Sequence, residues 1–164
     1  MSRRRNSRML IWAALGVQLA GLIVDIVWHA LHSDFEARTV EQMLVHLGTV
    51  HIPIYVGVLC VLLATAWALI DQARRPPIGA AFPVAFVGAL VSAAGETWHA
   101  YSHLQLDTHA GPFAAAIAFT GFLIVVAAMW VSGRRDRRRK PGDIAQRPAG
   151  RPTEPESSPS RNAR

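Results

Sequence analysis

With 164 residues, 51% of them hydrophobic, the chain is long enough for one domain, and its apolar runs are too long for an ordinary soluble fold. Its net charge of +6 comes from arginines grouped at the ends of those runs with no folded reading domain around them, which argues against nucleic-acid binding. The single cysteine, Cys60, excludes a disulfide framework or a thiolate metal cluster and reads as a small packing residue.

The chain begins with Arg3, Arg4, Arg5 and Arg8 and then runs without charge to Asp25. A basic stretch before an apolar run has the layout of a secretory signal. No small-residue cleavage site follows, however, and Asp25 interrupts the run, so the segment is expected to remain as a span over 9–31. Three more charge-free stretches follow: Glu41 to Asp71, Arg75 to Glu96 and Asp107 to Arg134. Each approaches or exceeds the roughly 20 apolar residues that cross a bilayer core. They predict spans over 43–70, 80–103 and 109–131, and hence an all-α, four-transmembrane-helix bundle over residues 9–132. Residues 1–8 form a basic N-terminus. Residues 133–164 are rich in Arg, Pro, Ser and Glu with little to bury, and predict a disordered basic tail.

Cationic residues give the orientation. Arg3 to Arg8, Arg74 and Arg75, and Arg134 to Lys140 all fall on one side of the predicted spans, and only Arg38 falls on the other. The positive-inside rule then puts both termini in the cytoplasm of a plasma-membrane protein. Trp12, Trp67 and Trp130 lie at inner span ends, and Trp28 and Trp98 at outer ends, as interfacial belts require. The expected partner is the lipid bilayer, together with another membrane subunit or a second copy of the chain in a homo-oligomer.

A short internal repeat accompanies these spans. Trp28-His29-Ala30 matches Trp98-His99-Ala100 near the ends of spans one and three, and His46-Leu47-Gly48 parallels His109-Ala110-Gly111 at the openings of spans two and four. The pattern suggests two copies of a helical hairpin, related by an axis along the membrane normal.

All seven histidines and two carboxylates fall in one layer. Counting about 1.5 Å per residue from the inner span ends places Asp25 and Glu96 at about 24 Å. His29, His51 and His99 come out at about 28–30 Å, and His32, His46, His103 and His109 at about 34–36 Å. At 100° per residue Asp25, His29 and His32 share one helix face, as do Glu96, His99 and His103. His46 and His51, five apart, cannot share a face of a regular helix, although Pro53 is placed to break or bend that segment.

A histidine near a membrane interface is often only an amphipathic anchor. Carboxylates within the span are costlier and by default mark a functional site, the plainer reading being hydrogen bonds that fix helix packing. Imidazole and carboxylate donors without thiolate suit copper or zinc, with iron also possible, and a divalent cation would neutralise the paired carboxylates. Asp25, His29, Glu96 and His99 are the expected core ligands. His51 and His109 come next, and His32, His46 and His103 serve as outer ligands or support. Glu96-x-x-His99 matches half of the carboxylate–histidine unit that di-metal bundles use. Two alternatives stay open: haem b held between His29 and His99, and a non-catalytic metal or proton relay or structural subunit. If the protein is an enzyme, a metal-dependent oxidoreductase is expected ahead of a zinc hydrolase, with no catalytic residue assignable.

Overall fold

The structure, a computed structural model, describes residues 2–74, 79–107 and 111–138. These form five helices: α1 Ser2–Leu31, α2 Val40–Leu47, α3 Ile52–Ala73, α4 Ala81–Leu104 and α5 Gly111–Arg138. No strand occurs among the described residues. Four of the helices are long and apolar enough to cross a membrane: Arg5–Leu31, Ile52–Ala73, Ala81–Leu104 and Gly111–Arg134. The first and last long helices continue into the flanking basic residues, so 133–138, expected to belong to the tail, are helical. His109 and residues 139–164 lie outside the described residues.

The exposure pattern is that of a protein solvated by lipid. Leu31, Leu63, Trp67 and Phe113 are each at least 60% exposed, while Gln18, Thr65, Ser92 and Glu96 are buried. Large apolar surface outside and polar groups inside are what a hydrocarbon solvent selects. Thr65 meets that demand locally by donating its hydroxyl to Val61 O at 2.8 Å.

The predicted second span, 43–70, is two helices rather than one. Thr39 caps α2, its hydroxyl accepting from Gln42 N at 3.2 Å, while Gln42 Oε1 accepts from Arg38 N at 2.9 Å. This is a near relative of the reciprocal capping box, and it starts α2 ahead of the apolar run. Gly48 then closes α2, and Thr49 Oγ1 donates back to Val45 O at 2.8 Å. Pro53, in the first turn of α3, has no N–H to carry a helix across the junction. Residues 48–51 therefore form a corner, and His51 becomes the N-cap of α3.

α1 packs along α3 and α4 along α5, while α3 meets α4 and α1 touches α5. With no hydrophobic drive between helices in lipid, close backbone approach has to supply the packing. Glycines such as Gly57 and Gly121 provide it. A Cβ at Gly57 on α3 would come within 2.7 Å of Gln18 N on α1, and one at Gly121 on α5 within 2.7 Å of Ser92 Cα on α4. Gln18 Nε2 donates to Ser92 Oγ at 2.9 Å, which ties the two helix pairs together near the middle. At the arginine-rich end Ile11, Ala14, Val61, Phe82, Val125 and Met129 close a dry core, with Cys60 packed beside it. The described histidines, Asp25 and Glu96 gather at the other end.

Candidate metal centre

Five imidazoles meet where that corner faces α1 and α4. His29 comes from the last turn of α1, His46 from the last turn of α2, His51 from the N-cap of α3, and His99 and His103 from the end of α4. His51 is the hub. Its ring centroid lies 4.8 Å from His46, 5.2 Å from His103 and 5.7 Å from both His29 and His99. The corner at 48–51 makes this possible: a continuous helix would have turned His46 and His51 apart, whereas here they face one space.

His51 is 1% exposed, and neither of its ring nitrogens finds a hydrogen-bond partner among the described residues. His46 is 4% exposed and its Nε2 is likewise unpartnered. Each such buried polar atom costs about 1–3 kcal/mol and so requires a physical explanation. Burial, reinforced by the surrounding imidazoles, pushes the His51 pKa down to about 3, and burial followed by His29 lowers that of His46. Both rings are therefore neutral at physiological pH, with lone pairs available.

Asp25 Oδ1 lies 3.4 Å from His51 Nε2 and 3.7 Å from His29 Nε2, neither contact having hydrogen-bond geometry. On the α4 side, His99 Nδ1 lies 3.1 Å from Gly111 O and must donate to that carbonyl. The bond fixes the tautomer and leaves a lone pair on His99 Nε2, the arrangement by which second-shell carbonyls orient metal-binding histidines. His99 Nε2 and His103 Nε2 then face each other at 3.1 Å. Two nitrogens bound to one tetrahedral zinc would stand about 3.3 Å apart, given bonds of about 2.0–2.1 Å. The ligating atoms form two sets, His29 with His46 and His51, and His51 with His99 and His103, each within 4.8 Å of one another.

A cavity of about 380 Å³ leads to this cluster between the α1–α2 and α4–α5 connections. Asp25, His29, His46, His99 and His103 form its polar wall, and Phe35, Met43, Leu106 and Pro112 part of its apolar one. The side chain of His29 is 42% exposed, whereas His46 and His51 are buried. Leu106 holds a left-handed backbone at φ 53°, where α4 ends in a Schellman turn: Asp107 N donates to Ser102 O at 3.0 Å and Leu106 N to His103 O at 2.9 Å.

Beneath the histidines lies a second cavity, of about 70 Å³, bordered by Gln18, Asp25, Glu96 and His99 among apolar side chains. It has room for about two waters. Gln18 Oε1, Asp25 Oδ1 and Glu96 Oε2 are its unpartnered acceptors. The carboxylates thus share a level below the imidazoles, as the depth count expects, but they are not equivalent. Asp25 reaches two histidines. Glu96, 8% exposed, borders the lower cavity, and neither it nor Asp25 is part of the two histidine sets.

His32 likewise belongs to neither ligand set; α1 ends at Leu31, and His32 N closes its last turn by donating to Trp28 O at 2.9 Å. Its ring instead stacks on Trp28 at 4.5 Å and 12°, with Nδ1 3.0 Å from Trp28 O. Trp28 does more than anchor an interface, since its ring also lies 4.5 Å from His46 and 5.1 Å from Phe35. His109 cannot be placed, as it lies outside the described residues.

Tyr55, Gln18 and Ser92 were not singled out in the sequence, although their spacing holds the signal. Tyr55 is one turn after His51 on α3, with ring centroids 6.0 Å apart and a buried hydroxyl. Gln18 precedes Asp25 by two turns and Ser92 precedes Glu96 by one, so each continues a polar stripe down its helix.

Neither known protein families, nor characterised proteins, nor solved structures give a match to this chain. The site stands on its own chemistry.

Proposed function

We propose that this chain is a plasma-membrane protein that binds a transition metal at a histidine–aspartate centre near the outer membrane face, with both termini cytoplasmic. The observation that carries the reading is His51: a fully buried ring with two unpartnered nitrogens, surrounded by four other imidazoles from three helices. Neutral imidazoles with an adjacent carboxylate and no thiolate favour Cu(II) or Zn(II) over soft Cu(I) or iron–sulfur chemistry. His29, His46, His51, His99 and His103 supply nitrogen, Asp25 offers oxygen or orients His29 and His51, and Glu96 supports the water-sized cavity below. The 380 Å³ cavity gives a small molecule access to His29, His46 and His103, which suits redox chemistry on a small or lipidic substrate. A subunit that holds or relays the ion for a partner uses the same ligands.

Haem fits this arrangement poorly. The rings of His29 and His99 meet only through His51, 5.7 Å from each, and a flat macrocycle between them would have to displace it.

Orientation is supported by the arginines at the end opposite the histidines. Reporter fusions near Arg38 and Asp107 should read external, and fusions at the N-terminus and after Lys140 cytoplasmic. A cytoplasmic signal from the Arg38 loop would move the centre to the inner face.

Metal binding itself is tested by titrating detergent-solubilised protein with Zn(II) or Cu(II) at several pH values. Protons compete with the ion for imidazole, but burial holds His51 at about 3 and lowers His46, so affinity should persist below the ordinary histidine pKa of about 6.5 and fall away as pH approaches those depressed values, with more than one proton taken up per ion released. An affinity that does not change from neutral pH down to about 3, where His51 itself takes up a proton, contradicts histidine ligation.

A further inference from the structure

The five histidines do not converge on a single point. Their ligating atoms fall into two triads, and His51 belongs to both. The five ligating nitrogens do not all come within 4.8 Å of one another as one set. Two nitrogens on opposite sides of one ion are separated by only about 4.2 Å, twice a metal–nitrogen bond. One ion therefore fails to satisfy both sets without moving rings that helix ends and the His99–Gly111 hydrogen bond hold in place.

We infer that the centre is dinuclear, with His51 bridging two divalent ions through its two ring nitrogens. This deepens the metal-binding reading above and rests on it. One ion is held by His29, His46 and His51, with Asp25 Oδ1, 3.4 Å from His51 Nε2, as the oxygen donor beside it. The other is held by His51, His99 and His103, where the facing Nε2 atoms at 3.1 Å already have the spacing of a bound pair. The complete burial of His51 and the absence of a hydrogen-bond partner for either nitrogen among the described residues are then two aspects of one role. As the second ion binds, the remaining N–H bond of His51 breaks, its proton passes to water, and the nitrogen lone pair forms the new metal bond. The ring becomes a bridging imidazolate, and the ions sit about 6 Å apart, given bonds of about 2.0 Å on either side of the ring. Neither ion changes oxidation state in this step.

The test counts ions. Full-length protein in detergent is equilibrated with Zn(II) alone, dialysed, and analysed for bound zinc per chain. Wild type should hold two. His46→Ala and His103→Ala should each hold one, because each removes a ligand from a different triad, and His51→Ala should hold neither tightly. One ion per wild-type chain overturns the dinuclear inference while leaving the metal site intact; no zinc and no copper bound at all removes the underlying reading instead. Should His51→Ala fail to fold, the bridge is tested in wild type by loading Cu(II). Two bridged copper ions couple magnetically and give a spin-resonance signal well below two spins per chain. Two full uncoupled spins contradict the bridge.

Discussion

His51→Ala should lower the apparent affinity for Zn(II) or Cu(II) by more than 100-fold, while His32→Ala leaves it within about twofold. Loss of an outer-shell partner to a metal ligand typically costs 10–100-fold, so loss of the shared ligand must exceed that. His32 is the matched control. It is exposed, lies in the same layer of sequence and stacks on Trp28 away from the ligand sets. Asp25→Ala should fall between the two, because Asp25 touches both His29 and His51, and its effect should not add fully to that of His51→Ala, since the groups act together. Glu96→Ala should cost less than Asp25→Ala. Equal losses for His51→Ala and His32→Ala, measured by competition with a chelator of known affinity, would mean that the corner at 48–51 does not organise the site.

Gly121→Leu should destabilise the bundle by at least about 3 kcal/mol and separate α5 from α4. Overpacking a close contact costs about 1–3 kcal/mol where side chains can yield. Here the new atoms would meet backbone, Ser92 Cα at 2.7 Å and Gly88 O at 2.5 Å, which cannot yield without moving the helix. Gly57→Leu should behave alike at the α1–α3 crossing, against the Gln18 backbone. Gly16 is the internal comparison: a Cβ there meets nothing within 4 Å, so Gly16→Leu should be tolerated in a lipid-facing position. The measurement is resistance to detergent-induced unfolding followed by helical circular dichroism. Similar curves for Gly16→Leu and Gly121→Leu would show that the helices do not pack through these glycines. Because His99 is oriented by Gly111 at the start of α5, Gly121→Leu should also weaken metal binding.

Much of this architecture is legible in the sequence because lipid imposes a simple code. Charge-free runs of span length mark four helices, and the four long helices begin or end within a few residues of those runs, apart from the basic extensions of α1 and α5. The pairing of His99 with His103, and of Asp25 with His29, follows from helical spacing, since offsets of four place side chains on one face. The central place of His51 is less legible. On a continuous helix its offset of five from His46 separates the two, and only the corner built by the Thr39 cap, Gly48 and Pro53 brings them together. Conversely, His32 shares the Asp25 face by helical spacing, but its ring stacks on Trp28 and joins neither ligand set. Glu96 shares the level of Asp25, but helical depth does not say which neighbour a carboxylate meets. The packing of α4 on α5 places it at the lower cavity, which His99 also borders, and outside the two histidine sets.

The most direct test of a metal centre is the melting temperature of the purified protein, recorded with bound metal and again after a strong chelator, alongside its metal content. An ion that binds the folded state alone, present at 100 times its dissociation constant, adds about 2.7 kcal/mol. Stoichiometric zinc or copper, a clear fall in melting temperature on chelation and its recovery on adding back the ion are the expected results. A melting curve indifferent to both chelator and added metal would contradict the account and leave the buried histidines as packing alone.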